Sequence, residues 1–350
     1  MPSDLPYRLS GSLPLTFEPR SGDPAGASRD ALAKWLREHA DWVQQKLTQH
    51  GALRFRGFDV RAPEHFEQLA RAVDDELENH YLGTSPRDAV TDYVFNASEL
   101  PDYFPIPQHC EMSFCANPPR RVFFCCLVAP GPDSGETPLC DFRAVWRDLD
   151  PAVRERFVAG GIRHIRNYAG PAGGREDDPT MLKSWPDMFR TTDRGEVERQ
   201  CRAEGFAVEW RSDGALRLES TQPVTRDHPV TGETVWHNHL TTFHLSSGAA
   251  EYARIAALRP TERHRGVLAM ARALEARLRE KPVDEQSMHS TRLDGAEFPA
   301  ADVEAVRDAV WKHMVIEPWQ AGDVVAIDNH SVSHGRLPYE GARRIVVCWA

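Results

Sequence analysis

Gln108-His109-Cys110-Glu111-Met112 is the stretch that decides how the rest of the chain is read. In an extended strand alternate side chains share a face, so His109 and Glu111 can offer an imidazole and a carboxylate to one metal while Cys110 points away. A second histidine far downstream, His334, completes a set of three. Two histidines and one carboxylate on one face of an octahedral ion leave three positions open, the pattern of non-heme Fe(II) oxygenases. The pair Arg343-Arg344, soon after that histidine, could hold a dicarboxylate cosubstrate.

The composition sets bounds on this reading. With 350 residues, 41% of them hydrophobic and 27% charged, the chain is an ordinary globular one, expected to form a single elaborated domain over 1–350. A net charge of −10 opposes attraction to nucleic acid or to an anionic membrane and favours a small-molecule partner. The first twenty residues hold no basic segment leading into an apolar one, and no run of eighteen apolar residues occurs, so the expectation is a soluble, cytoplasmic protein. The seven cysteines lack CxxC spacing and read as reduced, packed thiols. A zinc site from Cys110, Cys115 and Cys125 or Cys126 is the alternative.

Outward from the opening motif, periodicity predicts a helical N-terminal section over about 28–78. One helix starts at a Ser28 cap and stops at Gly51, and a second starts at Pro63. Residues 79–108 read as a Pro- and Gly-punctuated loop able to cover a site. Strands are expected at 52–58, 122–128, 137–140, 207–210, 216–219, 234–236, 315–318, 324–328 and 343–349. Helices are expected at 143–160 and within an insertion over about 250–313, where Val267, Leu268, Ala271, Leu274 and Leu278 form one apolar side. Strands on both sides of helical insertions make the fold mainly β with helical insertions (α+β), a jelly roll of the cupin-like, double-stranded β-helix kind.

The ordered series Gln108-His109-Cys110-Glu111-Met112, Gly135-Glu136-Thr137-Pro138, Trp319-Gln320-Ala321-Gly322-Asp323, Asp328-Asn329, Ser333-His334-Gly335-Arg336 and Arg343-Arg344 resembles the taurine dioxygenase (TauD/TfdA) family of Fe(II)/2-oxoglutarate-dependent oxygenases. Within it, the likeness is greatest to the branch acting on amino acids in natural-product biosynthesis. The resemblance implies His109, Glu111 and His334 as catalytic metal ligands, with Fe(II), 2-oxoglutarate and O2 as cofactor and cosubstrates. It places Thr137 at the distal carboxylate of 2-oxoglutarate. Because alternation sends Arg343 and Arg344 to opposite faces, only one can enter the barrel, and the resemblance selects Arg344. The implied reaction releases succinate and CO2 and hydroxylates an unactivated C–H bond. Desaturation or cyclisation would use the same residues. Halogenation is disfavoured because the related halogenases put a small residue where Glu111 stands.

For the substrate, Arg87, Asn96, Arg166 and Asn238 are the candidate contacts, with the molecule an amino acid or a derivative, free or tethered to a carrier protein. His237-Asn238-His239 with His244 is a competing cluster without a carboxylate, and His330 is a bystander. Rival functions are a zinc-dependent hydrolase built on the same three ligands and a non-catalytic jelly-roll binding protein.

Overall fold

His334 faces His109 across two antiparallel strands, Val332–Arg336 and Ile106–His109. This pairing organises the β-structure. In the computed structural model, which describes residues 2, 5–20, 27–83, 87–98, 100–171 and 182–350, a four-stranded sheet runs in the order Met314–Val315, Leu139–Asp141, Val332–Arg336, Ile106–His109. Opposite it lies a seven-stranded sheet in the order Tyr7–Ser10, Leu15–Pro19, Ala52–Phe55, Val324–Asp328, Arg121–Val128, Arg344–Trp349, Phe95–Asn96. Phe124, Val325, Ile327 and Val347 of the large sheet share one buried cluster with Leu139 and Val332 of the small one, the interior of a cupin-like jelly roll.

The outer face of the large sheet is covered by the N-terminal helices Arg29–Glu38, Ala40–His50 and Pro63–Val73, whose Leu32, Leu36, Leu47, Phe66 and Leu69 are fully buried. The single helix expected from Ser28 to Gly51 is in fact two. Ser28 caps the first as expected, and Gly51, at φ +76°, ends the second. They break at His39, whose ring stacks on Trp35 at 4.4 Å and whose Nδ1 bonds the Trp35 carbonyl at 2.9 Å, competing with the helix for that acceptor. A similar break divides 143–160 into Phe142–Asp148 and Pro151–Gly160, with Asp150 capping Ala152 at 2.8 Å.

A third sheet, in the order Met288–Thr291, Arg163–Tyr168, Leu216–Ser220, Ala207–Trp210, stands beside the barrel. Periodicity misses its first two strands because they read as polar: His164, Arg166, His289, Ser290 and Thr291 are all buried. The insertion over 250–313 is therefore not wholly helical. It holds part of the helix Ser247–Leu258, then Glu262–Arg279, the strand Met288–Thr291 and the helix Ala300–His313. Among the described residues no helix is long and apolar enough to cross a membrane.

Gly335 sits between the two histidine-bearing strands, and a Cβ there would stand 2.6 Å from the Ile106 carbonyl oxygen and 3.0 Å from Gln108 Nε2. Gly335→Ala must push these strands apart. The expected cost is about 1–3 kcal/mol in denaturant unfolding, the usual range for overpacking, together with weaker divalent-metal binding. Unchanged stability and unchanged metal affinity would show that the close approach is not needed.

Candidate metal centre and cosubstrate site

His109 ends its strand, and Glu111 follows in a turn whose next residue, Met112, takes φ +51°. The carboxylate is thus aimed from just beyond the strand rather than along it. Cys110 still points the other way, into the helical core that covers the small sheet. The turn is held from the far end of the chain. Asn329 Oδ1 accepts the Glu111 backbone N–H at 2.7 Å, and its Nδ2 donates to the Glu111 carbonyl at 3.0 Å and to the Pro119 carbonyl at 2.8 Å. Asn329 is fully buried, so this side-chain amide replaces the strand partner that Glu111 lacks.

The ligand atoms of His109, Glu111 and His334 lie within 4.8 Å of one another, and His334 Nε2 is 3.6 Å from Glu111 Oε2. Adjacent ligands of a first-row ion, each roughly 2.1 Å from it, stand on the order of 3 Å apart, so a small inward movement brings the set to bonding distance. The donor chemistry fits as well. His109 Nδ1–H donates to the Pro107 carbonyl at 2.9 Å, which leaves Nε2 with its lone pair free for a metal. Burial, then the neighbouring His334, lowers the His109 pKa to about 4, so the ring is neutral. Burial pushes the Glu111 carboxyl up, but Arg87, His334 and His109 outweigh it and hold the group well below the usual carboxylate range. A neutral His109 ring and an ionised Glu111 are in the forms that bind a divalent ion of this class.

Around Glu111, Arg87 Nη2 donates to Oε2 at 3.2 Å and to the Tyr81 hydroxyl at 3.0 Å, while Tyr81 donates to Oε1 at 3.3 Å. These residues come from the loop expected to cover the site. His239, which motif reading left among the competing histidines, lines the same cavity. Its ring is 5.0 Å from that of His109, and its Nδ1 bonds the Ser113 hydroxyl at 2.6 Å.

The strand-parity choice between the paired arginines comes out reversed. Arg344 begins its strand exposed, whereas Arg343 turns into the cavity with Ile345. Arg343 Nε donates to the Gly135 carbonyl at 2.8 Å and its Nη2 to Thr137 Oγ1 at 3.3 Å; Trp319 Nε1 also donates to Thr137 at 3.1 Å. Burial, then repulsion from Arg336, lowers the Arg343 pKa to about 10, so it stays cationic at neutral pH. Among the described residues it has no carboxylate partner. Arg336 is committed instead to loop carbonyls, Leu100 at 3.1 Å and Pro101 at 2.7 Å.

Of the substrate candidates, Arg87 and Asn96 line the cavity and the other two do not. Arg166 is wedged between Phe114 and Phe206, its guanidinium 4.3 and 4.6 Å from their centroids, and it donates to the carbonyls of Leu82 and Gly83. Asn238 is fully buried and spends both ends of its amide on backbone, donating to the Val224 carbonyl at 2.8 Å and accepting from Leu240 N–H at 2.9 Å. It shapes the helix Leu240–Phe243 and does not reach the cavity.

The cysteine alternative fails on packing. Cys110, Cys115, Cys125 and Cys126 lie in four different buried clusters, and burial raises all four thiols. A second grouping, His244, His289 and Glu297, has the composition of a metal site. Its hydrogen bonds say otherwise: His289 Nδ1 accepts the Leu245 N–H at 3.2 Å, so Nε2 carries the proton it gives Glu297 at 2.7 Å. His330 packs against His228 and His237, away from the triad.

The chain as a whole is similar to known proteins. A family model described as "Taurine catabolism dioxygenase TauD, TfdA family" matches residues 13–349. The chain is 30% identical over 323 residues to the dapdiamide synthesis protein DdaC of Enterobacter agglomerans, covering 92% of this chain and 88% of that protein. It is 26% identical to a clavaminate synthase-like protein of Arabidopsis thaliana, covering 89% and 84%. In fold it is similar to PvcB of Pseudomonas aeruginosa, at 17% identity and a TM-score of 0.53 over 99% of this chain and 92% of that one.

Asn329→Ala removes the amide that fixes the Glu111 turn. The expected result is a metal affinity about ten- to a hundredfold weaker by competition titration, the usual effect of losing a group that orients a ligand, with the protein still folded. Wild-type affinity in the folded variant would show that the turn holds without it.

Proposed function

The chain belongs to the taurine catabolism dioxygenase TauD, TfdA family, and on that premise we propose that it hydroxylates an unactivated C–H bond of an amino acid or amino-acid-derived small molecule. It is an Fe(II)/2-oxoglutarate-dependent dioxygenase. In this reading His109, Glu111 and His334 hold the iron, and Arg343, with Thr137, binds the distal carboxylate of 2-oxoglutarate. The observation that carries the assignment is Arg343 itself, a half-buried cation that lines the cavity and has no carboxylate within ion-pair distance among the described residues. A desolvated guanidinium is costly unless paired, and its planar fork matches a carboxylate. A zinc hydrolase using the same three ligands would leave this arginine without a purpose.

With iron bound, 2-oxoglutarate and O2 supply the oxidant, one oxygen atom leaving in succinate and the other going to the product, with CO2 released. The residues do the rest. Glu111 gives the negative charge that offsets part of the ion's own, and Arg87 and Tyr81 keep it in place. Arg336 ties Leu100, Pro101 and Phe104 to the barrel and so walls the cavity on one side. Asn96 and Arg87 present polar groups to a substrate lying beside the triad. DdaC is named for dapdiamide synthesis, which supports an amino-acid-related substrate, free or carried on a partner protein.

Replacing Arg343 by Ala should weaken 2-oxoglutarate binding about ten- to a hundredfold, in line with the 1.5–3 kcal/mol of a charge-assisted hydrogen bond. Arg344→Ala should stay within about twofold of the parent protein. Anaerobic titration of the Fe(II) protein, followed by its visible charge-transfer band, measures both, and the reverse order would return the anchor to Arg344. Succinate release across a panel of amino acids, free and carrier-bound, tests the substrate class. Release with none of them would reject it.

A further inference from the structure

The helix Glu262–Arg279 is amphipathic, yet none of its residues is fully buried and none belongs to any of the four buried clusters. Its apolar side, Val267, Met270, Ala271, Leu274 and Leu278, faces the cavity that holds the triad, a space of about 670 Å³. From Val267 to Leu278 this stripe runs roughly 16 Å at the rise of an α-helix. Tyr103 and Phe104, each 38% exposed, also line the cavity, and Met270 on the helix is 64% exposed. Three of the eight exposed large hydrophobic side chains described thus line one cavity. Water-facing apolar surface gathered in this way marks a binding site.

The helix packs on the helix Ser247–Leu258 and is held at its ends by polar contacts. Arg263 pairs with Asp102, at 3.1 Å, and with Glu340, and Gln286 Nε2 donates to the carbonyls of Leu278 and Lys281, the latter at 3.1 Å. Between these ties the apolar face spans the cavity without a core beneath it. At the triad end Arg87 is held by Glu111 and Asn96 lines the same space, while Glu275 and Arg277 of the helix border the cavity beside the stripe.

From this division we propose that the substrate is amphipathic: an acylated amino-acid derivative whose polar head lies by Asn96 beside the metal and whose uncharged apolar tail runs along the Val267–Leu278 stripe. This rests on the oxygenase reading of the same site. A free amino acid would leave the stripe in water, whereas each tail methylene buried against it is worth about 0.8 kcal/mol, a three- to fourfold gain in affinity.

The test uses N-acyl-L-alanines from acetyl to hexadecanoyl, below micelle-forming concentrations. Their binding to the full-length metal-free protein is measured by calorimetry, and 2-oxoglutarate binding to the Fe(II) protein is followed in parallel. The dissociation constant should fall about three- to fourfold per added methylene and then level off as the tail reaches the end of the stripe. Leu274→Glu and, independently, Met270→Glu should flatten that dependence while leaving 2-oxoglutarate binding intact. A dissociation constant that does not vary with chain length, no binding at any length, or a slope unchanged in both variants each overturns the proposal. Loss of 2-oxoglutarate binding by the parent protein would instead reject the oxygenase reading beneath it.

Discussion

The site depends on one backbone constraint: Glu111 must face two histidines although its own strand has already ended. His109 and His334 are positioned by strand pairing, the cheapest way to place two side chains from remote parts of a chain on one face. Glu111 has no such partner. Asn329 supplies the missing hydrogen bonds from more than two hundred positions away, and Met112, in the left-handed region, turns the chain so that the carboxylate looks back at the histidines. The sheet core and the metal site are therefore coupled, because Asn329 directly follows the strand Val324–Asp328 of the large sheet.

Charge inside the barrel follows from the same burial. Glu111 is ionised where desolvation alone would protonate it, since Arg87 and the two imidazoles favour the anion. Arg343 remains charged where desolvation alone works against it, with only a carbonyl and a hydroxyl to donate to. A protein that needed only stability would replace such a group with an apolar one. A half-buried cation of this kind is retained for an anionic ligand, and its position beside Thr137 in the cavity that holds the triad suits an anion that also reaches the metal.

What the sequence revealed and what it hid divide along physical lines. The jelly roll was legible because Val122–Val128 and Val324–Asp328 are strongly apolar, and the triad because His109, Glu111 and His334 sit in ordered motifs. The choice between Arg343 and Arg344 was not legible. Both faces of the strand Arg344–Trp349 are buried, one against the N-terminal helices and one inside the barrel, so residues 345–349 are apolar without a break and give no parity signal. The strands Arg163–Tyr168 and Met288–Thr291 escaped for the opposite reason, their buried positions being filled by hydrogen-bonded polar groups such as His164 with Ser290, 2.7 Å apart. Arg166 and Asn238 looked like substrate contacts because type alone cannot tell a polar group facing a ligand from one spent on backbone carbonyls.

The same distinction bears on the helix Glu262–Arg279. Its apolar periodicity reads as a core-facing stripe, and in most helices that is what such a stripe means. Here the cores are complete without it. Its fold rests on local devices: a Thr261 side chain that accepts the His264 N–H at 3.1 Å, the Arg279–Glu275 pair one turn apart, and packing on the helix Ser247–Leu258. Local devices of this kind contribute a few tenths to about one kcal/mol each, far less than a buried core. The helix thus rests on fewer buried side chains than the elements of the barrel, as ligand-binding elements commonly do. A tail laid along its cavity-facing side would add an apolar partner to the one that the helix Ser247–Leu258 already provides.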